Sequence, residues 1–363
     1  MLDKPRIAID AFPLAGRITG IGRYVLEICR ALDVLMPEAE FLLYSPQPLA
    51  VGPPSPRWRV RVEGSNRASS YVWLKRRAGA MARADGAQVF WGTRTILPGR
   101  STAFRTVATV HDLNYRLFPQ SMPYATLWAH RLWLERDLRR ADAVVTNSRG
   151  TADRLRDLLG IATDAVALPG VAATFRPQTP ECVAARLVAM DVHKAYFLAV
   201  GTVEPRKNLP ALVEAFVSLK QCGELPEHEL LIAGSRGWRG RHLHALLDKA
   251  AAHGVRWLGF VADEDLAALY AGSRAFIFPS LYEGFGIPAA EARACGAHIV
   301  AADIPELREA AGSEATYILP TVEGIRSGLR QVVLDTDVTA PWLRLDSWKE
   351  AAQVLAAQFR SLM

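Results

Sequence analysis

One segment concentrates residue types that handle a phosphorylated sugar: Pro279-Ser280-Leu281-Tyr282-Glu283-Gly284-Phe285-Gly286-Ile287-Pro288-Ala289-Ala290-Glu291. An apolar run at 275–278 leads into it and a helix-like run at 289–295 leads out. Gly284 and Gly286 allow positive φ and a close backbone approach to a ligand. Pro288 suits the first turn of a helix, where its missing N–H costs nothing. The unpaired N–H groups of that helix start favour an anion. Glu283 and Glu291, eight positions apart, add two carboxylates that accept hydrogen bonds from hydroxyls. Glycine after a strand and acid near a helix start also occur in α/β proteins without any such site.

A second segment, Gly201-Thr202-Val203-Glu204-Pro205-Arg206-Lys207-Asn208, follows the apolar run 196–200. Two adjacent cations there can stabilise a diphosphate leaving group, Arg206 as a planar fork and Lys207 as a compact charge. Charge that develops only in the transition state is where such groups contribute most. A purely structural cation pair at a helix start would oppose the helix dipole. A third segment, Gly16-Arg17-Ile18-Thr19-Gly20-Ile21-Gly22-Arg23-Tyr24, joins the first strand to the first helix. Its Gly20 and Gly22 N–H groups are placed to approach a phosphate or an acceptor, although Val25 stands where a dinucleotide fingerprint needs its third glycine. His111 ends the run Val107-Ala108-Thr109-Val110; by itself it reads as a structural histidine. No metal is expected: no Asp-x-Asp triplet stands out as a metal site, and His242 and His244 are badly spaced for zinc.

The elements around these segments alternate. Apolar runs at 6–10, 40–44, 87–91, 106–110, 143–146 and 165–168 are predicted strands, with amphipathic helices at 21–35 and 127–140. After Pro169, Gly170, Pro177 and Pro180 the pattern restarts with strands at 196–201, 228–234, 255–259, 275–278 and 298–302 and a helix at 209–220. Strand–helix alternation predicts α/β domains with doubly wound parallel sheets. We place the linker at 170–190, giving domains 1–170 and 171–346, followed by a terminal amphipathic helix at 347–363. Ligands of such sheets bind beyond the carboxyl ends of the strands, and every segment quoted above lies just after one.

The 363 residues suit two domains. Nothing near 20 apolar residues runs uninterrupted, so no transmembrane helix is expected, and the start lacks a signal-peptide block. Cys29, Cys182, Cys222 and Cys295 have no metal spacing and suit free thiols in the cytoplasm. The net charge is +9 over residues 1–170 and −3 over the remainder. That imbalance suits an anionic membrane surface or a lipid-linked pyrophosphate acceptor, or simply a solvated arginine-rich surface. No basic stretch is interleaved with stacking aromatics, so nucleic acid is not an expected partner.

The glutamate pair resembles the signature of retaining glycosyltransferases of family GT4, which have the GT-B fold of two Rossmann-like domains facing across a cleft. Residues 201–208 resemble that family's diphosphate-binding stretch, and residues 16–24 its glycine-rich loop. The resemblance covers most of 7–315 and the tail, and it lapses at 320–346. It implies a nucleotide diphosphate sugar as donor substrate and no cofactor. Arg206 and Lys207 would hold the diphosphate, with Gly201 beside them. Glu283 would sit by the donor sugar, Glu291 would bind the ribose, and His111 would contact a sugar hydroxyl. Gly284, Phe285 and Gly286 would cradle sugar or phosphate through their backbone. Phe260, Val261 and Asp263 would hold the base, with Asp263 as a helix cap the alternative. The terminal helix would cross back onto the first domain. The pattern is most like bacterial polysaccharide and O-antigen mannosyltransferases. It therefore implies mannose moved from GDP-mannose to a lipid-linked or growing glycan at the inner face of the cytoplasmic membrane; rhamnosyl, glucosyl and N-acetylglucosaminyl transfer stay open. Double displacement also stays open, though no side-chain nucleophile stands out. The rival readings are a nucleotide-sugar epimerase or phosphorylase on the same fold, or a non-catalytic sugar-nucleotide-binding subunit.

Overall fold

Two parallel sheets account for the named strands of the computed structural model, which describes residues 4–16, 18–64, 69–235, 241–334 and 347–363. Arg17, the side chains of His242 and His244, and residues 335–346 lie outside the described residues. The chain divides into one unit of Met1–Gly170 with Asp346–Met363, and a second of Val171–Leu345.

The first unit carries strands β1 (Arg6–Asp10), β2 (Glu40–Ser45), β3 (Trp58–Val62), β4 (Val89–Gly92), β5 (Arg105–Val110), β6 (Ala143–Thr146) and β7 (Ala165–Val166), in the order β3-β2-β1-β4-β5-β6-β7. All pairings are parallel, with Ile9 of β1 beside Leu43 of β2 and Trp91 of β4. The order reverses direction between β1 and β4, which makes their carboxyl ends the switch point of this sheet. The second unit carries β8 (Tyr196–Val200), β9 (Glu229–Ala233), β10 (Val255–Gly259), β11 (Ala275–Phe278), β12 (Ile299–Ala302) and β13 (Thr316–Ile318), in the order β10-β9-β8-β11-β12-β13. Its switch point lies between β8 and β11. Central strands such as β11, with Ala275, Phe276, Ile277 and Phe278 all buried, are apolar throughout because helices cover both faces.

Several elements differ from the sequence expectation. The stretch 170–190 is not a continuous linker. Pro180–Ala189 is a helix, capped by Thr179, whose hydroxyl accepts the Cys182 N–H at 3.4 Å, and it packs on the helix Asp263–Gly272. Pro180 reads as a breaker, yet at the first helical position it starts a helix. The expected helix 127–140 begins earlier, at Tyr124, and widens into a π turn at His130–Leu134 before Glu135–Leu138. Strand β3 was not expected because its arginines break the apolar run. It is an edge strand with four of its five residues exposed, and such charge discourages edge-to-edge pairing. Strand β13 is three residues long, too short to show a period.

Helix α1 (Gly20–Leu35) and the terminal helix α2 (Trp348–Leu362) pack together within the first unit. Ser347 and Glu350 form a capping box at the start of α2. Trp348 meets the edge of Tyr24 at 5.9 Å between ring centroids, and Phe359 lies 6.0 Å from Trp91. The chain crosses α2 at Gly170, where a Cβ would lie 2.2 Å from the Trp348 backbone nitrogen. All four cysteines are free, and no described helix is long and apolar enough to cross a membrane.

Gly170→Ala should therefore cost about 2 kcal/mol of unfolding free energy, as overpacking against backbone does, measured by urea denaturation. Gly20→Ala, with nothing within 4 Å of the added methyl, should leave the midpoint within about 0.5 kcal/mol. Equal effects of the two substitutions would contradict this packing.

Candidate active site

In the second unit, the chain leaving β8 and the chain leaving β11 run side by side beyond the switch point. Gly201 follows β8 with φ +150°, and a Cβ there would press within 3.0 Å of the Lys207 side chain. Pro205–Lys207 form a single tight turn, and Asn208 closes it in the left-handed region at φ +56°. The Asn208 amide then donates to the Pro279 carbonyl at 3.2 Å and to the Pro320 carbonyl at 2.9 Å. The Leu281 N–H donates to the Arg206 carbonyl at 2.9 Å. The cation turn and the acidic turn are thus locked to one another through their backbones.

Three of the four expected catalytic side chains meet here. Arg206 donates through Nη1 to Glu283 Oε2 at 2.5 Å and to the Tyr282 carbonyl at 2.6 Å. Lys207 Nζ donates to Glu283 Oε1 at 2.6 Å. The other terminal nitrogen of Arg206 donates to Glu204 Oε1 at 2.6 Å, and the Lys207 ammonium lies 4.7 Å from the centroid of the Phe278 ring. Glu204, Lys207 and Glu283 are all buried. Two cations and two carboxylates make a neutral quartet, in which Glu204 is the member sequence reasoning left without a role. Burial alone would raise the Glu283 carboxyl, but the charges and hydrogen bonds of Arg206 and Lys207 outweigh it and hold the group down to about 2. Burial, helped by Arg206 and opposed by Glu283 and Glu204, pushes the Lys207 ammonium below its ordinary value. Glu283 is consequently an ionised acceptor in this arrangement.

The remaining expected residues of this unit are placed as follows. Gly286, at φ +106°, precedes helix Ile287–Ala294, so the helix starts two residues before the expected position. Gly284 has no positive φ, which corrects its expected left-handed role. Phe285 is buried, so its side chain belongs to the core and only its backbone is offered. Glu291 is buried on that helix and accepts from the Tyr270 hydroxyl at 3.4 Å. Burial and the adjacent Glu291 push the Cys295 thiol up to about 12. Phe260, 67% exposed, and Val261 follow β10. Asp263 is the first residue of its helix and not its cap, which is Ala262.

In the first unit, His111 follows β5 and is buried. Its Nε2 lies 2.8 Å from the Thr93 carbonyl, which can only accept, so Nε2 carries the proton. Burial pushes the ring below its ordinary value, with the Thr93 hydrogen bond and Asp112 opposing. The imidazole is therefore neutral, and Nδ1 is an acceptor. Tyr24 packs edge-on at 5.0 Å. Beside it, at the switch point, the Arg94 guanidinium spans both oxygens of Asp10 at 2.8 and 3.2 Å, between the rings of Phe12 and Tyr71 at 4.4 and 4.6 Å. Sequence reasoning missed this buried pair; the signal was a carboxylate ending an otherwise apolar strand. Gly20 and Gly22 lie in the first turn of α1 rather than in a loop. A Cβ on Gly22 would meet the Pro13 carbonyl oxygen at 2.5 Å, so this glycine permits helix-to-turn packing, and Gly20 alone of the two keeps open space.

The sequence family described as Glycosyl transferases group 1 matches residues 188–342, and Glycosyltransferase Family 4 matches residues 18–170. The chain belongs to the family 4 glycosyltransferases. This glycosyltransferase is 29% identical to O-antigen chain mannosyltransferase B of Escherichia coli, over 96% of this chain and 93% of that one. Among solved structures it shares the GT-B fold with sucrose-phosphate synthase from Thermosynechococcus elongatus, at 19% identity and TM-score 0.76 over 99% of both chains. It likewise aligns with Anabaena HepE in complex with UDP-glucose, at 18% identity and TM-score 0.68 over 98% of this chain and 96% of that one.

The quartet dictates a stability test. Glu283→Gln takes the carboxylate from the buried Lys207 ammonium and leaves Arg206 with Glu204 alone, and should cost about 3–5 kcal/mol, read by urea denaturation. Because the folded-state carboxyl is held down to about 2, its contribution is complete above the ordinary unfolded value near about 4.3 and is lost as pH falls through that value toward 2. The wild type should lose stability across that window, and the variant should lose measurably less.

Proposed function

We propose that this glycosyltransferase moves mannose from GDP-mannose, with retention at the anomeric carbon, to a lipid-linked or growing glycan. The observation that carries the reading is the meeting of Arg206 and Lys207 with the buried Glu283 at the β8/β11 switch point. The 29% identity to a mannosyltransferase over almost the whole chain supports the choice of sugar.

In this reading the donor diphosphate takes hydrogen bonds from Arg206 and Lys207 and draws their charge away from Glu283. The bond between the anomeric carbon and the β-phosphate oxygen breaks, and that oxygen keeps the electron pair. The acceptor hydroxyl oxygen bonds to the anomeric carbon on the same face and passes its proton to the departing phosphate. The cations stabilise the leaving charge as it grows, and the reaction does not call on a metal. Glu283 accepts from hydroxyls of the sugar and stabilises positive charge at the ring. Glu291 holds the ribose, and Phe260, Val261 and Asp263 hold the base. Gly201, Gly284, Phe285 and Gly286 offer backbone to phosphate or sugar, as does Gly20. His111 Nδ1 accepts from a donor-sugar hydroxyl. The basic first half is assigned to an anionic membrane surface at the cytoplasmic face, where a lipid-linked acceptor is carried.

A thermal-shift screen with GDP, UDP, ADP and TDP, followed by transfer assays with the matching mannose donor, tests the reading. GDP at 100 times its Kd should add about 2.7 kcal/mol, and transfer should persist in excess EDTA. Arg206→Ala should reduce kcat by about 10²-fold or more, the scale for loss of a charge-stabilising donor. Selective stabilisation by a different nucleotide would overturn the mannose assignment, and loss of transfer in EDTA would overturn the role given to the cations.

A further inference from the structure

The first unit has a second candidate site, at the opposite end of its sheet. A cavity of about 1030 Å³ lies at the amino ends of β4, β5 and β6, where Gln88, Arg105 and Asp142 stand. The same strands lead, at their other ends, to Thr93 and His111. Five cations line the cavity, Lys75, Arg100, Arg105, Arg136 and Arg140, against two carboxylates. Both carboxylates are already engaged. Asp137 accepts from Lys75 at 2.6 Å, from Arg140 Nε at 3.0 Å and from the Leu97 N–H at 2.9 Å. Asp142 accepts from Arg105 at 3.0 Å and from the Thr106 N–H at 2.8 Å. Arg100 and Arg136 are exposed and have no ion pair among the described residues. Burial pushes the Lys75 ammonium down, Asp137 opposes the fall, and Arg140 and Arg136 add to it. Cations are thus crowded here beyond what the local acids neutralise, and such a surplus lining a concave wall focuses potential on an anion.

The remaining wall mixes the polar side chains of Gln88, Ser101, Thr102 and Thr106 with an apolar part. Trp133, Phe104, Leu362 and Met363 contribute to it. The helical run that supplies Trp133, Arg136 and Arg140 also exposes Tyr124, Trp128 and Leu132, at 69, 56 and 60%. Their spacing of four puts them in one stripe, and the Arg131 guanidinium lies 5.5 Å from the Trp128 ring. Tyrosine, tryptophan and arginine together suit the boundary between lipid and water.

We propose that this cavity binds a phosphate or diphosphate group carried on an apolar chain, separately from the donor site. Arg100 and Arg136 take the phosphate oxygens, and Trp133 and Leu362 cover the first part of the chain. Such binding is independent of which sugar the enzyme transfers. The same chemistry comes from two sources, a lipid-linked diphosphate or a bilayer phospholipid.

Isothermal titration with farnesyl diphosphate and with inorganic pyrophosphate, and co-sedimentation with vesicles of phosphatidylglycerol in phosphatidylcholine or of phosphatidylcholine alone, test the proposal on the full chain. The double variant Arg100→Gln/Arg136→Gln should weaken farnesyl diphosphate binding about tenfold per arginine, with its melting temperature unchanged. Trp133→Ala should weaken farnesyl diphosphate and spare pyrophosphate. Farnesyl diphosphate binding lost in the double variant identifies the lipid-linked source. Sedimentation with anionic vesicles only, lost in the double variant while farnesyl diphosphate fails to bind, identifies the bilayer source. The proposal is overturned if neither probe binds, if the double variant binds as the wild type does, or if pyrophosphate binds as tightly as farnesyl diphosphate.

Discussion

Glu283 is an ionised carboxylate taken out of water, and it persists there because two cations close on its two oxygens. A buried charge is tolerated only when paired and hydrogen-bonded, so the positions of Arg206, Lys207 and Glu283 are mutually determined. Glu204 brings the group to neutrality. The backbone bonds from Asn208 and Leu281 then hold the two turns in register. A neutral quartet does not repel an incoming diphosphate as a carboxylate alone would. Its two cations are held in fixed positions by their bonds to Glu204 and Glu283.

The same construction rule operates in both units. In each sheet the strand order reverses once, and charged side chains collect at the carboxyl ends of the two strands flanking the reversal. In the second unit these are the turns after β8 and β11. In the first they are Asp10 at the end of β1 and Arg94 just after β4, with His111 at the end of the neighbouring β5 bonded to Thr93. The neutral His111 ring, fixed by a carbonyl that can only accept, presents a defined acceptor atom. Burial keeps the ring neutral, and the Thr93 carbonyl selects the tautomer.

Much of this was legible in the residues. The apolar runs that became β1, β8 and β11 are continuous because both faces are covered, and continuous runs bounded by glycine or proline are easy to see. Cations and carboxylates soon after such runs marked the side chains that meet in the quartet. What was hidden had physical reasons. The Arg206–Glu283 and Lys207–Glu283 pairs span more than 70 positions, and no local pattern encodes a contact at that separation. Gly22 looked like part of a flexible loop because only the fold shows the Pro13 carbonyl against it. Pro180 looked like a linker residue because a proline that opens a helix and a proline that ends one read alike without the flanking packing. Strand β3 was masked by the arginines that protect its edge.

The most direct measurement is a crystal structure of the enzyme with GDP bound. The account predicts β-phosphate oxygens at about 2.7–3.2 Å from the Arg206 guanidinium and the Lys207 ammonium, with Glu283 beside the vacated sugar position. A diphosphate seated elsewhere, with Arg206 and Lys207 still closed on Glu283 and making no contact with it, would contradict the account.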